Sequence, residues 1–238
     1  ENHFFEIYTK SKNPVLWSAT ASQSWMKLSE SKGTFENQQR IFVEIDWNHL
    51  PKSVENEAEI MIIAEGKSQK IKVLVFNPAI NIDLKNVYVE DNGVISIPAE
   101  DYHRKTDNPG YEWETFDNIG LTGKLVTTLP MTTLPVDHDW NVAENAPHLE
   151  YDFYTFQRGW FKIHSYTLPT HAINEFRETK YAVSIDDEPP LLIDSVAPDR
   201  IEEWKQNVSR NADVETTPHF ISEPGKHKLK VWLLDPGG

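Results

Sequence analysis

Apolar and polar residues alternate singly along much of this 238-residue chain, the period-two pattern of strands with one face toward a core and one toward water. The pattern is clearest over 147–193. Leu149, Tyr151 and Phe153 alternate with Glu150, Asp152 and Tyr154; Phe161 and Ile163 follow; then Tyr181, Val183 and Ile185 stand apart by Ala182 and Ser184. Three successive strands are predicted, with Gly159 turning the chain between the first two. Between the second and third lies a long loop, Leu168-Pro169-Thr170-His171 and the polar run 174–180. Loops of that length in compact domains are often functional.

Residues 1–78 carry a separate set of short strands at 4–8, 16–19, 25–28, 40–47, 58–64 and 70–76, punctuated by Asn13-Pro14, Lys32-Gly33, Leu50-Pro51 and Gly66. Ile41, Val43, Ile45 and Trp47 would share one face; Ile71, Val73 and Val75 would share another, with Lys70 and Lys72 turned to water. Val87-Tyr88-Val89 is a further short strand candidate, and Asp91-Asn92-Gly93 is a turn. We place a boundary there. The expected fold is all-β: an immunoglobulin-like sandwich over 1–90, then a larger jelly-roll-like sandwich over 91–238 with one short helix. The second domain would open with a strand at 94–102 and continue through a strand at 126–130. Asp199-Arg200-Ile201-Glu202 has the form of a capping box, and Ile201, Trp204 and Val208 follow at helical spacing, so that Trp204 and Val208 should pack on the sheet. Leu229, Val231 and Leu233 form the last strand, and a turn is expected from Asp235.

Composition narrows the functional classes. A formal net charge of −14 without a basic run disfavours nucleic-acid and anionic-membrane partners. There are no cysteines, which removes thiol chemistry and disulfides. No apolar run reaches the length of a membrane span, and Glu1-Asn2-His3-Phe4 resembles neither a start nor a signal peptide, so a piece of a longer protein is expected.

Few residues suggest chemistry. The nine histidines show no helical zinc spacing. Asp186-Asp187-Glu188 is the one dense carboxylate cluster, but neighbours on a strand point in alternate directions and Pro189-Pro190 follows, which favours a hairpin over a pair of catalytic acids. No nucleophile elbow, phosphate loop or dinucleotide fingerprint is present. Trp113 and Trp140 stand in polar surroundings that could stack a sugar ring, although packing against the sandwich is the plainer role; His171 joins them as a carbohydrate-binding candidate and could also meet a partner surface. Asn207-Val208-Ser209 is a glycosylation sequon by pattern only.

The segments LEYDFYTF, YTLPTHAIN, KYAVSIDDEPP, EEWKQNVSRN and LKVWLLDPG, in that order, resemble the C-terminal β-sandwich region of glycoside hydrolase family 115, the xylan α-1,2-glucuronidases, over about 94–238. The resemblance implies a secreted or periplasmic parent hydrolase whose active site lies upstream, so that this chain alone is no enzyme and no catalytic position is carried over. It implies an accessory role beside the catalytic domains, with glucuronoxylan and a homodimer as further partners. A carbohydrate-binding module and a protein–protein module are the alternatives. The opening segment 94–102 also resembles sugar-binding modules in which a carboxylate at the position of Glu100 helps hold a structural calcium. No cofactor is required, and calcium is disfavoured by Pro98 and by the absence of the closing strand with which family members continue, a gap that would also leave a sheet edge unpaired.

Overall fold

The computed structural model describes residues 3–80, 83–132, 134–136, 146–170, 174, 176–177, 179–195 and 201–236, with the backbone alone for 201–203. Strands dominate and one helix is present among the described residues, as the alternation predicts. The chain divides into two compact units, Glu1–Ile82 and Asp83–Gly238.

The first unit contains β1 (His3–Tyr8), β2 (Val15–Ala21), β3 (Met26–Leu28), β4 (Lys32–Phe35), β5 (Gln38–Ile45), β6 (Ser53–Ala64) and β7 (Lys67–Asn77). They form a three-stranded sheet, β1-β5-β3, and a four-stranded sheet, β4-β2-β6-β7. Alternate residues of both sheets, among them Trp17, Ile41, Ile60 and Val75, meet in one core. This is the expected sandwich, four strands on three. Each such side chain contributes about 1.5–3 kcal/mol by leaving water. On the outer face of the β6–β7 pair, Lys70 meets Glu59 and Lys72 meets Glu57, so the lysines do face water.

Two details differ from the pattern reading. Lys32-Gly33 lies within a strand rather than between strands: a Cβ on Gly33 would come within 3.3 Å of the Trp17 indole nitrogen, so the glycine makes room for a buried tryptophan across the β2–β4 pair. Trp47, expected beside Ile41, lies past the end of β5 and is 59% exposed.

The second unit contains β8 (Tyr88–Val89), β9 (Arg104–Thr106), β10 (Glu112–Asp117), β11 (Lys124–Leu129), β12 (His148–Thr155), β13 (Gly159–Thr167), β14 (Thr179–Ile185), β15 (Leu191–Asp194), α1 (Ile201–Arg210), β16 (Asp213–Ile221) and β17 (Gly225–Pro236). The principal sheet runs β15-β14-β17-β12-β8, with β9 also on β12. Two ribbons, β13–β16 and β10–β11, complete the layering. Phe153 and Ile185 of the sheet pack with Ile221, Phe161 and Ile163 of the first ribbon, while Leu149 and Tyr151 pack with Trp113 and Val126 of the second. The inward series Leu149, Tyr151, Phe153 is therefore the spine of this core. Because Tyr88–Val89 pairs with β12, residues ahead of the Asp91-Asn92-Gly93 turn already belong to this sheet.

Here too the physics departs from pattern in places. The segment 94–102 forms no ladder beyond an Asp91–Val94 bridge; Ile95 and Ile97 reach the core from irregular backbone, and Pro98 has no N–H to give a neighbour. β16 was not expected, because Pro218 interrupts its alternation; the proline is accommodated in a two-stranded ribbon, opposite Lys162. In α1, Trp204 is half-buried as expected but Val208 is 45% exposed, and the buried position on that face is Asn207. The capping residue expected at 199 lies outside the described residues. Finally, β17 continues through Pro236 and lies between β12 and β14, with Asp235 opposite Lys180, where a turn was expected.

Candidate functional surface

Trp113, the first candidate for stacking a sugar, is 7% exposed, and its indole N–H donates to the carbonyl of Thr106 at 3.2 Å. It packs with Leu149 and Tyr151 in the core, which leaves little of the ring for a sugar. Trp140 and His171 lie outside the described residues. Glu100 sits half-buried in a turn beside Asp101. Among the described residues no three His, Cys, Asp or Glu side chains gather as a metal site.

The Asp186-Asp187-Glu188 cluster is a hairpin turn whose acids diverge. Asp186, in the left-handed region at φ 53°, meets His227 Nδ1 at 2.7 Å and accepts the Lys228 backbone N–H at 2.9 Å. Asp187 is fully exposed, 3.5 Å from Lys230. Glu188 meets His219 Nδ1 at 3.1 Å. On the other ring nitrogen, Thr217 Oγ1 lies 2.9 Å from His219 Nε2, completing a hydroxyl, imidazole and carboxylate in the order of a nucleophilic triad. The hydroxyl is not offered to a substrate: Thr217 is 9% and His219 2% exposed. The relay fastens the β14–β15 turn to β16.

A second cluster follows from β12, whose outer positions Glu150 and Asp152 place two like charges on one face. Arg104 of β9 lies across both, donating Nε–H to Glu150 and Nη2–H to Asp152. Lys228 stands 3.0 Å from Glu150 and Lys226 3.0 Å from Asp152. Arg104 holds the Asp152 carboxyl well below the usual carboxylate range against the opposing effect of burial. For Glu150, burial pushes upward, but Arg104 and Lys228 outweigh it and the net shift is downward. Both groups stay ionised. A glycosidase acid needs the reverse, a carboxyl kept protonated by an apolar pocket.

Other buried polar groups also tie loops down. Glu90 accepts the Thr155 hydroxyl (2.5 Å), the Phe156 N–H (2.8 Å) and the Gln157 amide (3.0 Å), pinning the turn after β12. Arg177, in the long loop before β14, donates through Nε and Nη2 to Asp235 of β17, with side chains 10% and 3% exposed. Arg177 is therefore held to β17 by a buried ion pair.

The surface feature that pattern reading missed is the outer face of the β13–β16 ribbon. Inward residues of β13 alternate with Trp160, Lys162, His164 and Tyr166 outside. Opposite them on β16 stand Phe220, Pro218, Thr216 and Val214. Trp160 is 75% exposed and meets Phe220 edge to face at 5.4 Å, while Tyr166 is 62% exposed. His164 Nδ1 lies 2.8 Å from Thr216 Oγ1 in the middle of the strip. The available signal was the Gly159-Trp160 pair opening an alternating strand, but its partner strand was hidden by Pro218.

A family profile described as the glycosyl hydrolase family 115 C-terminal domain matches residues 87–238. No curated protein matches the chain. Among solved structures, similarity is found to BtGH115A, a family GH115 4-O-methyl-α-glucuronidase with specificity for decorated arabinogalactans, at 19% identity and a TM-score of 0.40. That match covers 57% of this chain, and the chain spans 16% of the glucuronidase. The E. coli chaperone DraB is similar at 11% identity and a TM-score of 0.28, covering 63% of this chain and 81% of the chaperone. The Pseudomonas aeruginosa CupB2 chaperone is similar at 9% identity and a TM-score of 0.29, covering 100% and 88%. The structural likenesses are too slight to argue from, but the profile covers most of the chain and the whole of its second sandwich: the chain belongs to the glycosyl hydrolase family 115 C-terminal domain family.

Proposed function

We propose that this chain is the non-catalytic C-terminal accessory region of a secreted or periplasmic family 115-type α-glucuronidase acting on glucuronoxylan, and that it supports the upstream catalytic domains and substrate access. The observation that carries this reading is the disposition of the carboxylates. The dense cluster fans out to three separate partners, and Glu150 and Asp152 are held ionised by Arg104. A hydrolase of glycosidic bonds needs one acid with a raised pKa facing a second across a sugar; no described pair in this chain has that environment. The family 115 C-terminal profile over residues 87–238 supports the choice of parent. No helix among the described residues is long and apolar enough to cross a membrane.

Two measurements test the proposal. Purified chain incubated with xylo-oligosaccharides bearing 4-O-methylglucuronic acid should release none of the uronic acid, and release at any enzyme-like rate would overturn it. Co-expressed with the upstream part of its own reading frame, the chain should co-purify with it; separation of the two under low salt would count against the supporting role.

A further inference from the structure

The exposed strip on the β13–β16 ribbon carries aromatic rings at both ends and hydrogen-bonding groups between them. Trp160 and Tyr166 are six residues apart, about 20 Å along an extended strand. The Trp160–Phe220 pair occupies one end, Tyr166 the other, and the His164–Thr216 pair the middle. None of the outward residues of either strand is acidic, in a chain whose net charge is −14. Its charged side chain is Lys162, and Arg158 lies exposed in the turn just before Trp160; neither forms an ion pair among the described residues.

We propose that this face is a binding platform for an acidic polysaccharide, an extended chain of sugars bearing uronic acid carboxylates. Exposed aromatic rings supply flat apolar area on which sugar rings stack, and polar groups between them fix orientation. Lys162 and Arg158 complement the uronic acid charge, while the rest of the acidic molecule repels polyanions that cannot use the rings. A protein contact fits less well, because interface centres are depleted in lysine and this strip has Lys162 at its centre. A nucleic acid, charged at every nucleotide, would meet far more of the acidic chain's repulsion than a polymer whose uronic acids are spaced among neutral sugars. The site depends on the accessory reading above only for the choice of polymer.

The test is affinity electrophoresis and titration calorimetry of the full chain with glucuronoxylan and with the same polymer after carboxyl reduction. Wild type should bind glucuronoxylan and bind the reduced polymer more weakly. The double substitution W160A/F220A should lose about tenfold or more on both polymers. K162Q should lose severalfold on glucuronoxylan and nothing on the reduced polymer. These side chains point away from the core, so melting temperatures should hold; Y166A and K162Q carry the test if the double variant melts early. No binding to either polymer, or wild-type binding by W160A/F220A, overturns the platform. So does a dimer that W160A/F220A converts to monomer without any change in sugar binding, which would make the face a contact between copies. A negative result leaves the non-catalytic reading standing, since that fails only on release of uronic acid.

Discussion

Arg104 is the hinge of the charge cluster on β12, and replacing it with glutamine should cost the second unit about 2 kcal/mol at neutral pH. A charge-assisted hydrogen bond contributes about 1.5–3 kcal/mol. Arg104 makes such contacts to two carboxylates whose side chains are 14% and 13% exposed. Its own side chain is 45% exposed, so water screens each contact, and Lys228 and Lys226 remain 3.0 Å from the same acids in the variant. The sum is therefore discounted to about 2 kcal/mol, or roughly 4–8 °C in Tm for a unit of this size. The pH dependence has a definite sign. Asp152 and Glu150 titrate lower in the folded protein than unfolded, so their stabilisation is complete above the unfolded values near 4 and drains away as pH falls from there toward the folded values. The gap between wild type and R104Q should accordingly be flat from about pH 8 to pH 5 and narrow below about pH 4. Thermal melts followed by circular dichroism across that range read it directly. R104K, which keeps the charge but loses the fork, should recover part of the loss. A gap under about 0.5 kcal/mol at pH 7, or one that widens on acidification, would refute the reasoning.

Other substitutions probe other joints. Trp113→Ala should destabilise by about 3–5 kcal/mol, since it empties a core position, and a loss of sugar binding without loss of Tm would contradict the burial of that indole. Arg177→Met removes one ionic partner of the buried Asp235 carboxylate and should cost about 1.5–3 kcal/mol in chemical denaturation; a change under about 0.5 kcal/mol would show the pair to be incidental. Asn207→Ala should cost about 1–3 kcal/mol in chemical denaturation, since Asn207 is 6% exposed, its amide nitrogen donates to Asp213 at 2.7 Å, and its amide oxygen accepts from Arg210 at 2.6 Å; an unchanged midpoint would show these bonds to contribute nothing.

Alternation located most strands because a strand half buried in a sandwich leaves its period in the sequence, as Leu149-Tyr151-Phe153 does. It failed where backbone or neighbour, rather than side-chain polarity, decided the element. Gly33 reads as a turn and Pro218 as a strand breaker, yet one clears space for Trp17 and the other sits where a ribbon tolerates it. The site was less legible than the fold. Trp113 stands between Glu112 and Glu114 and Trp160 between Gly159 and Phe161, so the neighbours give no hint that the first turns inward and the second outward; the pairing of β10 with β11 and of β13 with β16 shows it. Arg104 left no trace beyond being one charge among many, because its partners lie forty-six and forty-eight residues away.

The order in which the principal sheet is threaded bears on how the protein is made. β12 and β14 are both complete in the chain well before β17, yet they meet only through it: Leu149 and Val183 flank Val231 from opposite sides. Until residues 225–236 have emerged from the ribosome, both strands show it bare edges and the apolar faces around Tyr151 and Tyr181 lack their cover. The second sandwich must therefore assemble late and all at once, so a nascent polypeptide arrested before that point would be a ready client for holdase chaperones.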